Sequence, residues 1–233
     1  MNRHKQASRF LWQASQKNML YRWRKKNLKL ERAEMELSML PLLQQYAKQY
    51  PVDAAVMEIG CGPTCISHAL PQKYKTYLDP LINEYRRMFP GELPEDGEQL
   101  ATTAERINKE SSSYDIVICL NTLSFSLNPE LIVNEVERLL KPGGIFIVEM
   151  RTHSALEARL HYWILRFLPK LTRSPRPYYY ALQGIRKTLK RHFNIKEEQV
   201  IKKKLLWIPF FKREQRFFVC TSLGDTALNQ VSP

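Results

Sequence analysis

The sequence predicts an α/β fold organised around a parallel sheet, and three observations carry that prediction. Between residues 52 and 150, short apolar runs rich in β-branched residues alternate with stretches of helical periodicity. The first run, Val56-Met57-Glu58-Ile59, passes directly into Gly60-Cys61-Gly62-Pro63-Thr64, a glycine-bearing turn of the kind that joins a strand to a helix. The run Tyr114 to Leu120 is continuously apolar apart from Asp115, as expected of a strand buried on both faces. Strands alternating with helices pair in parallel through right-handed crossovers.

The elements follow in order. Residues 10–48 read as helical, interrupted near Pro41. Strands are expected at Ala54 to Ile59, Thr76 to Asp79, Gln99 to Thr103, Asp115 to Leu120 and Ile145 to Met150. Helices are expected at Thr64 to Leu70, Leu81 to Met88 and Pro129 to Leu140. The Pro-, Gly- and acid-rich segment 90–98 is a surface loop, and Ala104 to Tyr114 leaves little room for a helix. After Met150 an insertion runs to about Arg191. In it Leu156, Leu160, Trp163, Ile164, Phe167 and Leu168 recur at helical spacing, residues 169–177 break the pattern, and Tyr178-Tyr179-Tyr180 opens a second helical stretch. Closing strands are expected near Gln199 to Leu206 and Arg216 to Thr221. The organisation expected is a helical cap over 1–50, an α/β core over 51–150, a helical insertion over 151–198, and closing strands with a tail over 199–233.

Four ordered features form a family pattern. Glu58-x-Gly60-x-Gly62 closes the first strand, and Asp79 ends the second, 21 residues later. Asn121 ends the fourth, and Leu139-Leu140-Lys141-Pro142-Gly143-Gly144 leads into the fifth. In these features the chain resembles class I S-adenosylmethionine (SAM) dependent methyltransferases. The resemblance covers roughly residues 52 to 150. It implies a Rossmann-like seven-stranded methyltransferase sheet with helices on both faces, extended here by the N-terminal helices and by the helical insertion after strand five. It also implies SAM as the cofactor, held by Glu58, Gly60, Cys61, Gly62, Thr64, Asp79, Thr103, Ala104 and Asn121. Asp79 would take the ribose hydroxyls, and a helix starting at Thr64 would point free N–H groups at the ligand. Thr64 stands where the family often has glycine. Thr103 stands where it often has the acid that meets the adenine amino group. A nicotinamide fingerprint would need glycine at position 65, which is Cys65.

Composition bounds the rest. A chain of 233 residues with 44% apolar content can bury one substantial core. Residues 1–9 are polar, no apolar run is long enough to cross a membrane, and the cysteines show no disulfide framework, so a cytoplasmic enzyme is the expectation. Cys61 and Cys65 lack the second pair that a zinc site needs, and methyl transfer needs no metal. Of the net charge of +13, residues 1–50 carry +8, residues 51–150 carry −7 and residues 151–213 carry +13. Basic flanks on an acidic core point to an anionic partner: a small or lipid-linked anionic acceptor, a peripheral membrane contact, or nucleic acid. The aromatics of the first helix fit either a packing helix or a lid over the cofactor. An oxygen acceptor needs a base, for which His153 is the candidate, three residues past the fifth strand. Competing readings are an RNA or DNA methyltransferase and a non-catalytic SAM-fold binding module. Against base-amino methylation, Asn121-Thr122-Leu123-Ser124 lacks the Pro-Pro-aromatic sequence that stacks a flipped base.

Overall fold

The computed structural model describes residues 9–167, 176–205 and 212–223. Its strands are β1 (Ala55–Ile59), β2 (Tyr74–Leu78), β3 (Glu98–Leu100), β4 (Tyr114–Leu120), β5 (Leu140–His153), β6 (Tyr180–Ala181), β7 (Phe193–Leu205) and β8 (Lys212–Ser222). The helices are α1 (Arg9–Trp23), α2 (Leu28–Ala47), α3 (Ile82–Met88), α4 (Pro129–Leu139), α5 (Ala155–Phe167) and α6 (Leu182–Lys190). One sheet runs in the order β3-β2-β1-β4-β5-β8-β7, with the short β6 paired to β5. The first five strands are parallel, and β8 lies antiparallel between β5 and β7.

The period-two alternation of the central strands divides the core between two faces. Val117, Phe146, Val148 and Phe218 pack with Ile132 and Val136 of α4 and Ile185 and Leu189 of α6. Val56, Ile116, Ile118, Ile145 and Ile147 pack on the opposite face with Met39, Leu43 and Tyr46 of α2. The resulting three-layer arrangement leaves the carboxyl ends of β1, β2, β4 and β5 along one edge of the sheet. That edge is where open α/β sheets bind ligands.

Four expectations are corrected. The helix expected over Thr64 to Leu70 is a single 3₁₀ turn, Ile66–Ala69, because Cys65 just before it is left-handed at φ 47° and the chain turns again at once. The N-terminal helices break at Asn27, not at Pro41. Asn27 caps α2 by accepting a hydrogen bond from Leu30 N–H at 3.2 Å. Helix α2 continues through Pro41, whose missing N–H would have bonded the carbonyl of Leu37, a residue 82% exposed to solvent. The tyrosine triplet does not open a helix, since Tyr180 pairs with Thr152 of β5 and α6 starts two residues later. Finally, β7 starts at Phe193, six residues before the expected Gln199, so the helical part of the insertion ends with α6. The chain break at 169–177, Leu168 and the apolar run Trp207 to Phe211 lie wholly or largely outside the described residues.

Phe146 is fully buried, with its ring 5.3 Å from that of Phe193. Phe146→Ala should cost about 3–5 kcal/mol in urea denaturation. A loss under about 1 kcal/mol would contradict this packing.

Candidate active site

The corner after β1 is built by hydrogen bonds that leave the loop little freedom. Gly60 and Cys61 N–H both donate to the carbonyl of Leu78, at 2.6 and 3.2 Å, and Gly62 N–H donates to Asp79 Oδ2 at 3.1 Å. Gly60 sits at φ 69°, and a Cβ there would lie 2.1 Å from Thr122 Oγ1, so no other residue fits. Gly62 has φ 56°, and a Cβ on it would meet nothing nearer than the Trp23 ring at 3.9 Å. Its bareness keeps space open beside the loop.

Glu58 lies beneath this loop. It is 1% exposed, accepts hydrogen bonds from Ser67 N–H at 2.9 Å and Ser67 Oγ at 2.6 Å, and does not line the cavity. Burial pushes its pKa up to about 7 against those two bonds. Asp79 has one oxygen on Gly62 N–H and the other on Leu81 N–H at 2.8 Å, and burial raises its pKa to about 6. A carboxylate accepts about four hydrogen bonds, so each oxygen keeps capacity for a ligand donor.

A cavity of about 510 Å³ opens above these groups. Gly60, Cys61, Gly62, Thr64, Asp79, Thr103, Ala104 and Asn121 line it, so eight of the nine residues expected around a cofactor converge there. Trp12, Gln16, Met19, Arg22 and Trp23 of α1 also line it, at the spacing of one helix face. Gln16 Nε2 donates to Phe125 O at 3.3 Å, and Arg32 Nη2 of α2 donates to Glu92 O at 2.6 Å, which ties both helices to the core loops. Glu105 lines the cavity while accepting from Leu127 and Asn128 N–H at 2.7 and 2.9 Å.

His153 is placed elsewhere. It does not line the cavity. It is 7% exposed, its Nδ1 is 3.1 Å from Glu157 Oε2, and its ring lies 4.4 Å from that of Tyr179. Burial lowers its pKa. The reason is that β5 continues through His153 and α5 folds straight back over it. Missed by sequence reasoning is Glu149 of β5, which lines the cavity with Gln215 of β8 and Lys202 of β7. It is in phase with Ile145 and Ile147, and an acid at the third apolar position of a buried strand was the available signal.

Residues 57–148 match the family model described as a methyltransferase domain. Over those residues the chain carries a methyltransferase domain. Ubiquinone biosynthesis O-methyltransferase of Pseudomonas aeruginosa is 27% identical to the chain over 136 residues, which are 55% of this chain and 49% of that protein. The chain thus spans about half the length of the curated relatives it matches. A solved methyltransferase-like protein of Bacillus halodurans aligns with TM-score 0.62 at 15% identity, over 78% of this chain and 97% of that one. A SAM-dependent methyltransferase of Methanosarcina mazei aligns with TM-score 0.58 at 21% identity over the same shares. These two likenesses establish the fold of the methyltransferase domain.

The groups of the cavity fit SAM better than a dinucleotide. The N–H groups of Gly60, Cys61, Gly62 and Cys65 are all committed to partners within the protein, at Leu78 O, Leu78 O, Asp79 and Cys61 O. The loop therefore does not offer the array of free donors that a pyrophosphate takes, which corrects the expectation of a helix N-terminus aimed at the ligand. It offers carboxylates, which suit ribose hydroxyls and a cationic ligand.

The folded protein holds Glu58 at about 7 against an ordinary 4.5, so the unfolded chain releases this proton first as pH rises. The stability this group contributes is full below about pH 4.5 and lost by about pH 7. Urea denaturation of Glu58→Gln and wild type across that window should show the difference moving in the variant's favour as pH rises. A difference that is flat, or moves the other way, contradicts a buried carboxyl with a raised pKa.

Proposed function

We propose that the protein transfers the methyl group of SAM to an oxygen of a small, anionic, lipid-linked acceptor met at a membrane surface. The observation that carries the transfer is the convergence of Gly60, Gly62, Asp79, Thr103 and Asn121 on one cavity beneath α1. SAM supplies a sulfonium methyl group already activated for in-line displacement. In this reading Asp79 accepts from the ribose hydroxyls, bare Gly62 leaves room for the ligand, and Thr103 and Ala104 flank the adenine. Glu58 acts from below, fixing the loop through Ser67. Helix α1 closes over the site with Trp12, Met19 and Trp23, excluding water and holding the reactants in line.

Curated relatives named for O-methyl transfer in ubiquinone biosynthesis support an oxygen acceptor. The anionic character rests on Lys202 and Arg22, which line the cavity, and on Arg151, the cross-strand neighbour of Gln215, itself opposite Lys202.

The membrane contact rests on α5, whose amphipathicity is inverted. Leu156, Leu160, Trp163 and Phe167 are each half or more exposed. Glu157 is buried on the opposite side, with Arg213 Nε 2.7 Å from it, and the His161 ring stacks at 3.5 Å on Tyr179. An apolar helix face left in water forgoes about 1.5–3 kcal/mol per large side chain, and such contiguous patches mark interaction surfaces. Exposed Arg159 lies on the same helix, and exposed Arg151, Lys202 and Lys203 lie on β5 and β7, the mixture of apolar and basic residues expected of a surface that meets an anionic bilayer. No helix among the described residues is long and apolar enough to cross a membrane.

Titration calorimetry with S-adenosylhomocysteine tests the cofactor assignment. Asp79→Ala, checked for folding, should bind roughly tenfold or more weakly, because hydrogen bonds to a charged group are worth about 1.5–3 kcal/mol. Unchanged affinity would refute it.

Cosedimentation with phosphatidylglycerol-containing vesicles tests the membrane contact. The wild type should bind, and the double variant Leu160→Ser, Trp163→Ser should bind at least about tenfold less while keeping its affinity for S-adenosylhomocysteine. Tight, salt-sensitive binding to RNA in place of vesicles would overturn this choice of partner.

A further inference from the structure

We propose that Glu149 is the general base of the reaction, taking the proton from the acceptor hydroxyl as its oxygen is methylated. The inference rests on the reading of the site as an oxygen methyltransferase and assigns it a residue that lies just past the family match, which ends at 148.

Position comes first. Glu149 lies within the buried run of β5 and is 4% exposed, yet it lines the cavity. Three strand spacings separate β5 from β2, which places it about 14 Å along the sheet from Asp79. The cofactor anchor and this carboxyl thus sit at two ends of one space. Other acids of the cavity are engaged or solvated. Asp79 and Glu105 each hold two backbone N–H groups, Glu31 pairs with Lys26, and Glu34 is exposed. Among the described residues neither His153 nor any other histidine lines the cavity.

The surroundings suit the task. The Gln215 side chain hydrogen-bonds the Glu149 carboxyl, the N–H of Asn121, just past β4, donates to the Glu149 carbonyl at 2.7 Å, and Arg151 and Arg176 bring positive charge near it. Cys119 of β4 is a further titratable neighbour. Burial outweighs the two arginines and pushes Glu149 up to about 7, so the group is partly ionised at neutral pH and returns its proton to solvent readily. In the step, a lone pair of the acceptor oxygen forms the new bond to the methyl carbon, and the carbon–sulfur bond breaks with its electron pair going to sulfur. The O–H proton passes to a Glu149 carboxylate oxygen. The products are the methyl ether, the neutral thioether and a protonated Glu149.

Glu149→Gln removes the base and keeps the shape, and Glu149→Asp keeps the carboxyl. Binding of S-adenosylhomocysteine should stay within about twofold in both, which certifies the fold and the cofactor end. Infrared difference titration of wild type against Glu149→Gln, which needs no acceptor, should show a carboxyl ionising near pH 7. Ionisation in the ordinary carboxylate range would overturn the proposal. With catechol as the probe acceptor, the wild-type rate should rise with pH through about 7. Glu149→Gln should lose about a hundredfold or more together with that limb, while Glu149→Asp retains the limb. On 4-nitrocatechol, a phenol ionised without help, the loss should shrink to a fewfold. Equal catechol rates in wild type and Glu149→Gln would refute the base and leave the methyltransferase reading standing. Failure of the wild type to methylate either phenol while binding S-adenosylhomocysteine would instead refute the oxygen acceptor, and the base with it.

Discussion

The carbonyl of Leu78, taking N–H bonds from both Gly60 and Cys61, is the contact on which the rest of the site depends. It fastens the turn leaving β1 to the end of β2, so that Asp79, the next residue, meets Gly62 and Leu81. Gly60 is required because Thr122, from the end of β4, occupies the space of a side chain. Three strand ends are thereby locked into one corner before any ligand arrives. A preorganised corner of this kind spends little of its binding energy on ordering the loop.

Buried carboxyls give the site its chemical character. Glu58, Asp79 and Glu149 are each less than one-tenth exposed, and burial raises all three pKa values. Such a site is costly for an anion and welcoming to a cation. Among the described residues the basic side chains lining the cavity enter from the periphery, as Arg22 on α1, Lys26 in the turn before α2 and Lys202 on β7. The segregation of charge along the sequence, an acidic core between basic flanks, thus becomes a spatial one. In the proposed reading the core meets the cofactor and supplies Glu149, while the basic flanks meet the anionic part of the acceptor.

Local patterns made the central sheet legible. Glycine spacing, apolar runs and the acid at the end of β2 are features of short segments, and the strands they predict hold to within a few residues. What escaped depends on contacts between segments. Pro41 drew attention as a helix breaker, whereas Asn27, a good capping residue after the basic run 22–26, is where the helices part. The periodicity of Leu156, Leu160, Trp163 and Phe167 predicts a helix but not which side faces the protein, and only the burial of Glu157 reverses the usual choice. His153 was attractive by its place after a strand. Glu149 acquires its setting only when Gln215, more than sixty residues later, comes to lie beside it.

Hydrogen–deuterium exchange with and without S-adenosylhomocysteine tests the central claim most directly, because it reads the whole chain without assuming an acceptor. The account predicts protection in three core segments, 60–65, 79–82 and 103–106, together with the face of α1 that bears Trp12, Met19 and Trp23. Protection confined to α6 and its basic face, or absent from the 60–65 corner despite measurable binding, would contradict it.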